Sequence, residues 1–228
     1  MNAHRIKKMV RPLVVALLLV CLVRMFWVGE VRIGADTCPS VLQRDDRVLF
    51  NRWAYGLRMK IGDSIVRIAP SMPNKGDYVA LRPVVDDGEP LCVGRLMAMP
   101  GDTVWMGYGG VVRASRSYAK GCIWPVRVPS CGSVVDITPW NAELYARLIR
   151  AYEGEATATV CDTALYIAGH ETKKYRFHRD YYWISSCSDT NFFDSRIYGP
   201  VPAETLEGQL IFVLFANIRR RWMHSIIY

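Results

Sequence analysis

Short runs of β-branched and aromatic residues, each closed off by glycine, proline or aspartate, recur along this chain and restrict it to a mainly β fold. They are Arg47–Phe50, Tyr78–Leu81, Thr103–Met106, Val111–Arg113, Tyr181–Ile184 and Leu210–Phe215. Three of them follow an aspartate-containing turn directly, at Asp45-Asp46, Gly76-Asp77 and Gly101-Asp102, which predicts a meander of turn-then-strand units. One segment has a different period. Thr138 reads as an N-cap with Pro139 at the first helical position, and Leu144, Tyr145, Leu148, Ile149 and Tyr152 recur at helical spacing before Gly154. The weak strand pattern around this helix marks residues 108–179 as an inserted cap subdomain, set into a β core formed by residues 30–107 and 180–218.

The N-terminus has another character. Arg5, Lys7, Lys8 and Arg11 lie in a basic segment, residues 1–11, ahead of an apolar run over residues 12–29 that only Arg24 interrupts. A helix needs roughly 20 residues to cross hydrocarbon, and Arg24 is near enough to the far end to snorkel outward. The run therefore predicts a single transmembrane anchor, and its basic flank puts the N-terminus in the cytoplasm and the main domain in the periplasm. A cleaved signal peptide is the rival reading. It fits less well, because the run exceeds the usual apolar core of such peptides and only Gly34-Ala35-Asp36 resembles a cleavage site.

The net charge of +8 does not point to nucleic acid, since the sequence has no RNA-binding aromatic box and no zinc-finger spacing. The basic tail, residues 219–228, holds Arg219-Arg220-Arg221 beside Trp222 and reads either as a lipid contact or as a solvated end. Seven cysteines contain no C-x-x-C pair, so no metal or cofactor is expected. In an oxidising compartment the short spacing of Cys122 and Cys131 makes a disulfide between them conceivable.

Four ordered boxes carry a resemblance. The first is Thr37-Cys-Pro-Ser-Val-Leu42, running through Asp45-Asp46 into Arg47-Val-Leu-Phe-Asn-Arg52; the second is Lys75-Gly-Asp-Tyr-Val79. The third is Gly94-Arg-Leu-Met-Ala-Met-Pro-Gly-Asp-Thr-Val104, and the last spans Ser186 to Pro202 and includes Asp194-Ser195-Arg196. In order and spacing they are similar to the boxes of type I signal peptidases, and the helix-containing insertion resembles the form found in Bacteroidota. The resemblance implies the antiparallel β fold of that family behind a membrane anchor. It implies a place in the inner membrane in signal-peptide processing, with exported preproteins, an active signal peptidase or an export complex as partners.

The chemistry implied by the family is a serine hydroxyl activated by a lysine amine held neutral in an apolar site. Thr37 stands at the family's serine position and Gly94 at its lysine position. Threonine keeps a hydroxyl, whereas glycine has no proton acceptor, and losing a general base alone costs about 10²–10⁴-fold. The expectation is a homologue without peptidase activity that still binds peptides. The alternative is an active peptidase that uses Thr37 or Cys38 with a base such as Lys60 or Lys75. Ser40 and Cys187 are further candidates within the boxes, and Arg95, Asp194, Ser195 and Arg196 are read as supporting residues. Phe192 replaces a serine of the family's last box.

Overall fold

A computed structural model describes residues 11–20, 27–33, 42, 46–62, 64–82, 91–107, 112–113, 123–185, 195–215 and 222–225. A helix, α1 (residues 11–20), precedes the β fold. Strands β1 (Val28–Arg32) and β2 (Arg47–Asn51) pair antiparallel, followed by a hairpin, β3 (Leu57–Ile61) and β4 (Ser64–Ile68), and by β5 (Tyr78–Leu81) and β6 (Cys92–Ala98). Next come β7 (Thr103–Gly107), β8 (Val112–Arg113), β9 (Ile123–Arg127) and β10 (Val134–Asp136), and then α2 (Ala142–Tyr152). The chain continues through β11 (Thr159–Cys161), β12 (Ala164–Ile167), β13 (His170–Glu171) and β14 (Lys174–Arg176) into β15 (Tyr181–Ser185). Last are α3 (Ser195–Tyr198), β16 (Val201–Pro202), β17 (Leu206–Phe215) and β18 (Trp222–Ser225).

One sheet organises the molecule, in the order β1-β2-β17-β5-β6-β15-β16, with β18 also on β17. Every pairing in it is antiparallel. Its central strands are buried on both faces, and alternate residues enter different clusters. Tyr78 and Ala80 join Val48, Phe50 and Leu210 on one side. Val79 and Leu81 join Tyr55, Leu96, Tyr182, Ile184 and Leu206 on the other. From β15, Tyr181 and Trp183 reach a third cluster with Tyr145, Leu148 and Phe177, which binds α2 and its small sheets to the main sheet.

The strands expected from sequence are present, with three differences that have physical reasons. β17 starts at Leu206, earlier than its apolar run, because Gly208 lets it cross β2: a Cβ there would lie 2.2 Å from the Asn51 carbonyl oxygen. The β3–β4 hairpin was not expected, since its alternation is masked by Arg58, Lys60 and Arg67. Its base closes at Gly56, with φ +89° and an absent Cβ that would sit 2.9 Å from the Ile68 and Ala69 carbonyls. Helix α2 begins at Ala142 rather than Pro139, because the Asn141 carboxamide accepts from the Thr138 N–H at 2.8 Å and donates to the Asp136 carbonyl at 3.1 Å, holding 138–141 as a turn.

The N-terminal expectation needs correction. Among the described residues no helix is long and apolar enough to cross a membrane. The ten described residues of α1 rise about 15 Å. Residues 21–26 lie outside the described residues, and the run cannot extend to 29 as one helix, because Val28 and Gly29 are already paired with Asn51 and Phe50 in the sheet. The Cys122–Cys131 bridge that their spacing made conceivable is not formed. Cys131 is a free thiol that donates to the His178 carbonyl at 3.2 Å, and Cys122 lies outside the described residues. Within the basic tail, Trp222–Ser225 is not a loose end but a strand paired with Phe212–Phe215.

Candidate functional site

Position 94 is on β6, directly opposite Val79 of β5, with Ile184 of the neighbouring β15 paired to Leu96. Alternation along β6 places Gly94 on the same face as Leu96, toward the cluster of Tyr55, Val79, Leu81, Tyr182 and Ile184. This is a dry, apolar setting of the kind that keeps a lysine amine neutral. No room for a side chain remains in it. A Cβ on Gly94 would meet Ile184 Cγ2 at 2.3 Å and the Ser185 carbonyl oxygen at 3.4 Å. Ile184 is fully buried and β-branched, so its methyl cannot swing aside cheaply.

Ser195, from the last box, fixes this arrangement. It is fully buried at the start of α3, and its Oγ accepts the Ile184 backbone N–H at 2.9 Å. The hydroxyl thus positions the residue that covers Gly94. Arg196 follows it in the same short helix, half-buried, while Asp194 lies outside the described residues. Arg95 projects to the surface, where its Nε donates to the Gly76 carbonyl at 3.3 Å and its guanidinium lies 5.7 Å from the Tyr78 ring centre. It supports the turn that leads into β5 and is not directed at position 94.

Thr37, Cys38, Ser40 and Cys187 fall outside the described residues. Of the two lysines considered as substitute bases, Lys60 is in β3, opposite Ile65. Lys75 is half exposed and ion-paired to Asp102 at 2.8 Å, the reverse of a dry pocket. Among the described residues of the cluster around Gly94, Tyr55 and Tyr182 carry the phenol groups. Burial, and then the neighbouring Asp77 carboxylate, raise the Tyr55 phenol well above its usual range, and its hydroxyl donates to Asp77 Oδ2 at 3.0 Å. Burial likewise raises Tyr182.

A separate cleft of about 280 Å³ opens between β9, β10 and the start of α2, beside the stacked rings of Trp124 and Trp140 at 5.8 Å. Its polar lining includes Thr103, Arg127, Asp136 and Thr138 but no lysine, histidine, serine or cysteine, so it contains no nucleophile–base pair of the expected type.

Sequence reading missed Ile184 as a determinant of the site. Its only local signal was membership of an apolar strand; its contact with Gly94 depends on a pairing across 90 residues of chain that no periodicity encodes.

The antiparallel sheet and the ordered boxes along it define a mainly β domain in which Ile184 closes over position 94. A family model described as Signal peptidase, peptidase S26 matches residues 6–215, and the chain belongs to that family. No curated protein matches the chain.

Proposed function

We propose that this chain is a membrane-tethered member of the signal peptidase family that holds extended peptides of exported preproteins without cleaving them. The observation that supports it is the contact at position 94. The space above the base position is filled by Ile184, and Ile184 is held there by Ser195. A base that had merely been lost would leave a cavity; here the packing has adapted to glycine. The sheet around the site is intact, and adding a peptide strand to such a fold needs backbone donors and acceptors rather than a serine–lysine pair.

Tethering rests on the apolar run and its basic flank, and on α1, whose apolar side chains from Leu13 to Val20 are exposed all round. The same flank orients the main domain to the periplasm. A membrane fraction that resists alkaline carbonate extraction is the expected result; release into the supernatant contradicts tethering.

The function is tested by titrating purified full-length protein into a fluorescent signal peptide, following anisotropy and then peptide length by chromatography. The expected outcome is saturable binding with the peptide recovered intact. Absence of binding overturns the proposal, and so does cleaved peptide.

A further inference from the structure

The cleft on the inserted cap is built around two indole rings. Trp124 from β9 and Trp140 from the turn ahead of α2 stack with their planes 23° apart. Trp140 is 72% exposed, so a flat aromatic face borders the opening. An exposed ring on a loose loop would carry little weight, but this one is held. Pro139 fixes the backbone φ just ahead of it, and the buried Asn141 carboxamide ties the turn at both ends, to the Thr138 N–H and the Asp136 carbonyl. The opposite wall is held as well, because the fully buried Tyr145 hydroxyl donates to the Arg127 carbonyl at 2.7 Å and joins β9 to α2. A site whose walls are ordered in advance loses less affinity to ordering them on binding.

The polar groups beside the rings decide what the cleft takes. Thr103 and Thr138 contribute hydroxyls that both donate and accept, Asp136 a carboxylate acceptor and Arg127 a guanidinium donor. Donors and acceptors together beside a flat aromatic face match a pyranose ring, whose C–H bonds sit on its faces and whose hydroxyls project from its rim. Other ligands match less well. A peptide adding as a strand needs an unbroken row of backbone groups; β9, which pairs only with β7 among the described residues, carries Pro125 in its middle, and β10 has three residues. A nucleotide would bring its phosphate up to the Asp136 carboxylate. The volume of about 280 Å³ lies at the small end of ligand clefts, roughly 300–1,000 Å³, and suits a single ring of a longer glycan.

We propose that the Trp124–Trp140 cleft binds a β-linked, gluco-configured glycan, with one pyranose ring lying on the Trp140 indole and Asp136, Arg127 and the threonine hydroxyls at its rim. All-equatorial substitution leaves both faces of such a ring apolar, whereas an axial hydroxyl would interrupt the face on which it stands. The cleft shares no lining residue with the cluster around Gly94, so this binding is independent of the peptide-holding function. It gives the cap a role of its own, holding the domain on a polysaccharide.

The test is calorimetric titration of the purified full-length protein, in a zwitterionic detergent free of sugar, with cellotetraose and with chitotetraose. Saturable binding of at least one is expected. Trp140→Ala should weaken it about tenfold or more, the scale for a tryptophan at the centre of a binding site, and Asp136→Asn to a lesser degree. Trp53→Ala, which removes an exposed ring outside the cleft, should leave it unchanged. Because Trp140 is exposed, its replacement should keep the native circular dichroism spectrum. If it does not, Trp140→Phe is expected to bind with intermediate affinity, and unchanged affinity in both Trp140→Phe and Asp136→Asn counts against the proposal. No binding of either saccharide overturns it, and so does binding undiminished in Trp140→Ala. Decaproline bound in place of the saccharides, and lost in Trp140→Ala, also overturns it by assigning the cleft to peptide.

Discussion

The surroundings of Gly94 and the β3–β4 hairpin are opposite solutions to a mismatch between side chains and their setting. At Gly94 a long polar side chain expected of the family is missing, and a neighbour from the adjacent strand has closed over the gap. In the hairpin the apolar side chains are present and, among the described residues, Met59, Val66 and Ile68 stay exposed. The first mismatch is resolved by a neighbouring strand; the second is left on the surface of the described residues. The closed packing at Gly94 is the observation behind the proposed loss of cleavage, whereas the apolar face of the hairpin stays exposed.

The comparison sharpens most under attempted reconstruction. Gly94→Lys with Thr37→Ser is expected to remain inactive and to unfold at lower temperature, because Ile184 blocks the new side chain. Adding Ile184→Ala to that pair is expected to raise signal-peptide cleavage by about the 10²–10⁴-fold that a general base contributes. Equal activity with and without Ile184→Ala would remove Ile184 as the obstacle.

Smaller effects follow in stability. Ile184→Ala alone should cost about 2–5 kcal/mol in urea unfolding, the range for truncating a fully buried aliphatic side chain. Gly94→Ala should cost about 1–3 kcal/mol through overpacking. Combined, the two should cost less than their sum, because the new methyl group enters the space that is opened; strict additivity would contradict direct contact. Ser195→Ala should cost about 1–3 kcal/mol by leaving the buried Ile184 N–H without an acceptor.

Much of this was legible in the sequence, and the missing parts depend on what the folded chain brings together. Tyr78–Leu81 and Tyr181–Ser185 announce themselves through β-branched and aromatic runs between turn residues, and Gly94 through its place in an ordered box. Local pattern does not reveal which residue of one strand lies over which residue of another, and so Ile184 was invisible. The hairpin was obscured for a different reason. Its arginines interrupt the apolar alternation, and only the folded chain reveals that they face inward. The anchor was overextended because Val28 and Gly29 are as apolar as the run before them, and only pairing with Asn51 and Phe50 assigns them to the sheet.

The hairpin side of the comparison predicts almost no effect in detergent solution, where Val66→Asp should change stability by no more than about 0.5 kcal/mol, as at other exposed positions. A large loss would mean that the face is buried within the protein after all. Alkaline titration gives the mildest test. Burial, with Glu153 next, pushes the Tyr175 phenol from 10.0 up to about 12. The folded state then holds its proton longer than the unfolded chain, so this contribution is complete below pH 10 and is lost as pH rises toward 12. Tyr175→Phe should flatten that decline.

The central claim is that the closed position at Gly94 has ended peptide-bond cleavage by this fold. It is tested most directly by incubating the purified native protein and Thr37→Ala with an internally quenched signal-peptide substrate in the same lipid. The predicted result is identical traces at the uncatalysed rate. Cleavage by the native protein that disappears in Thr37→Ala would contradict it.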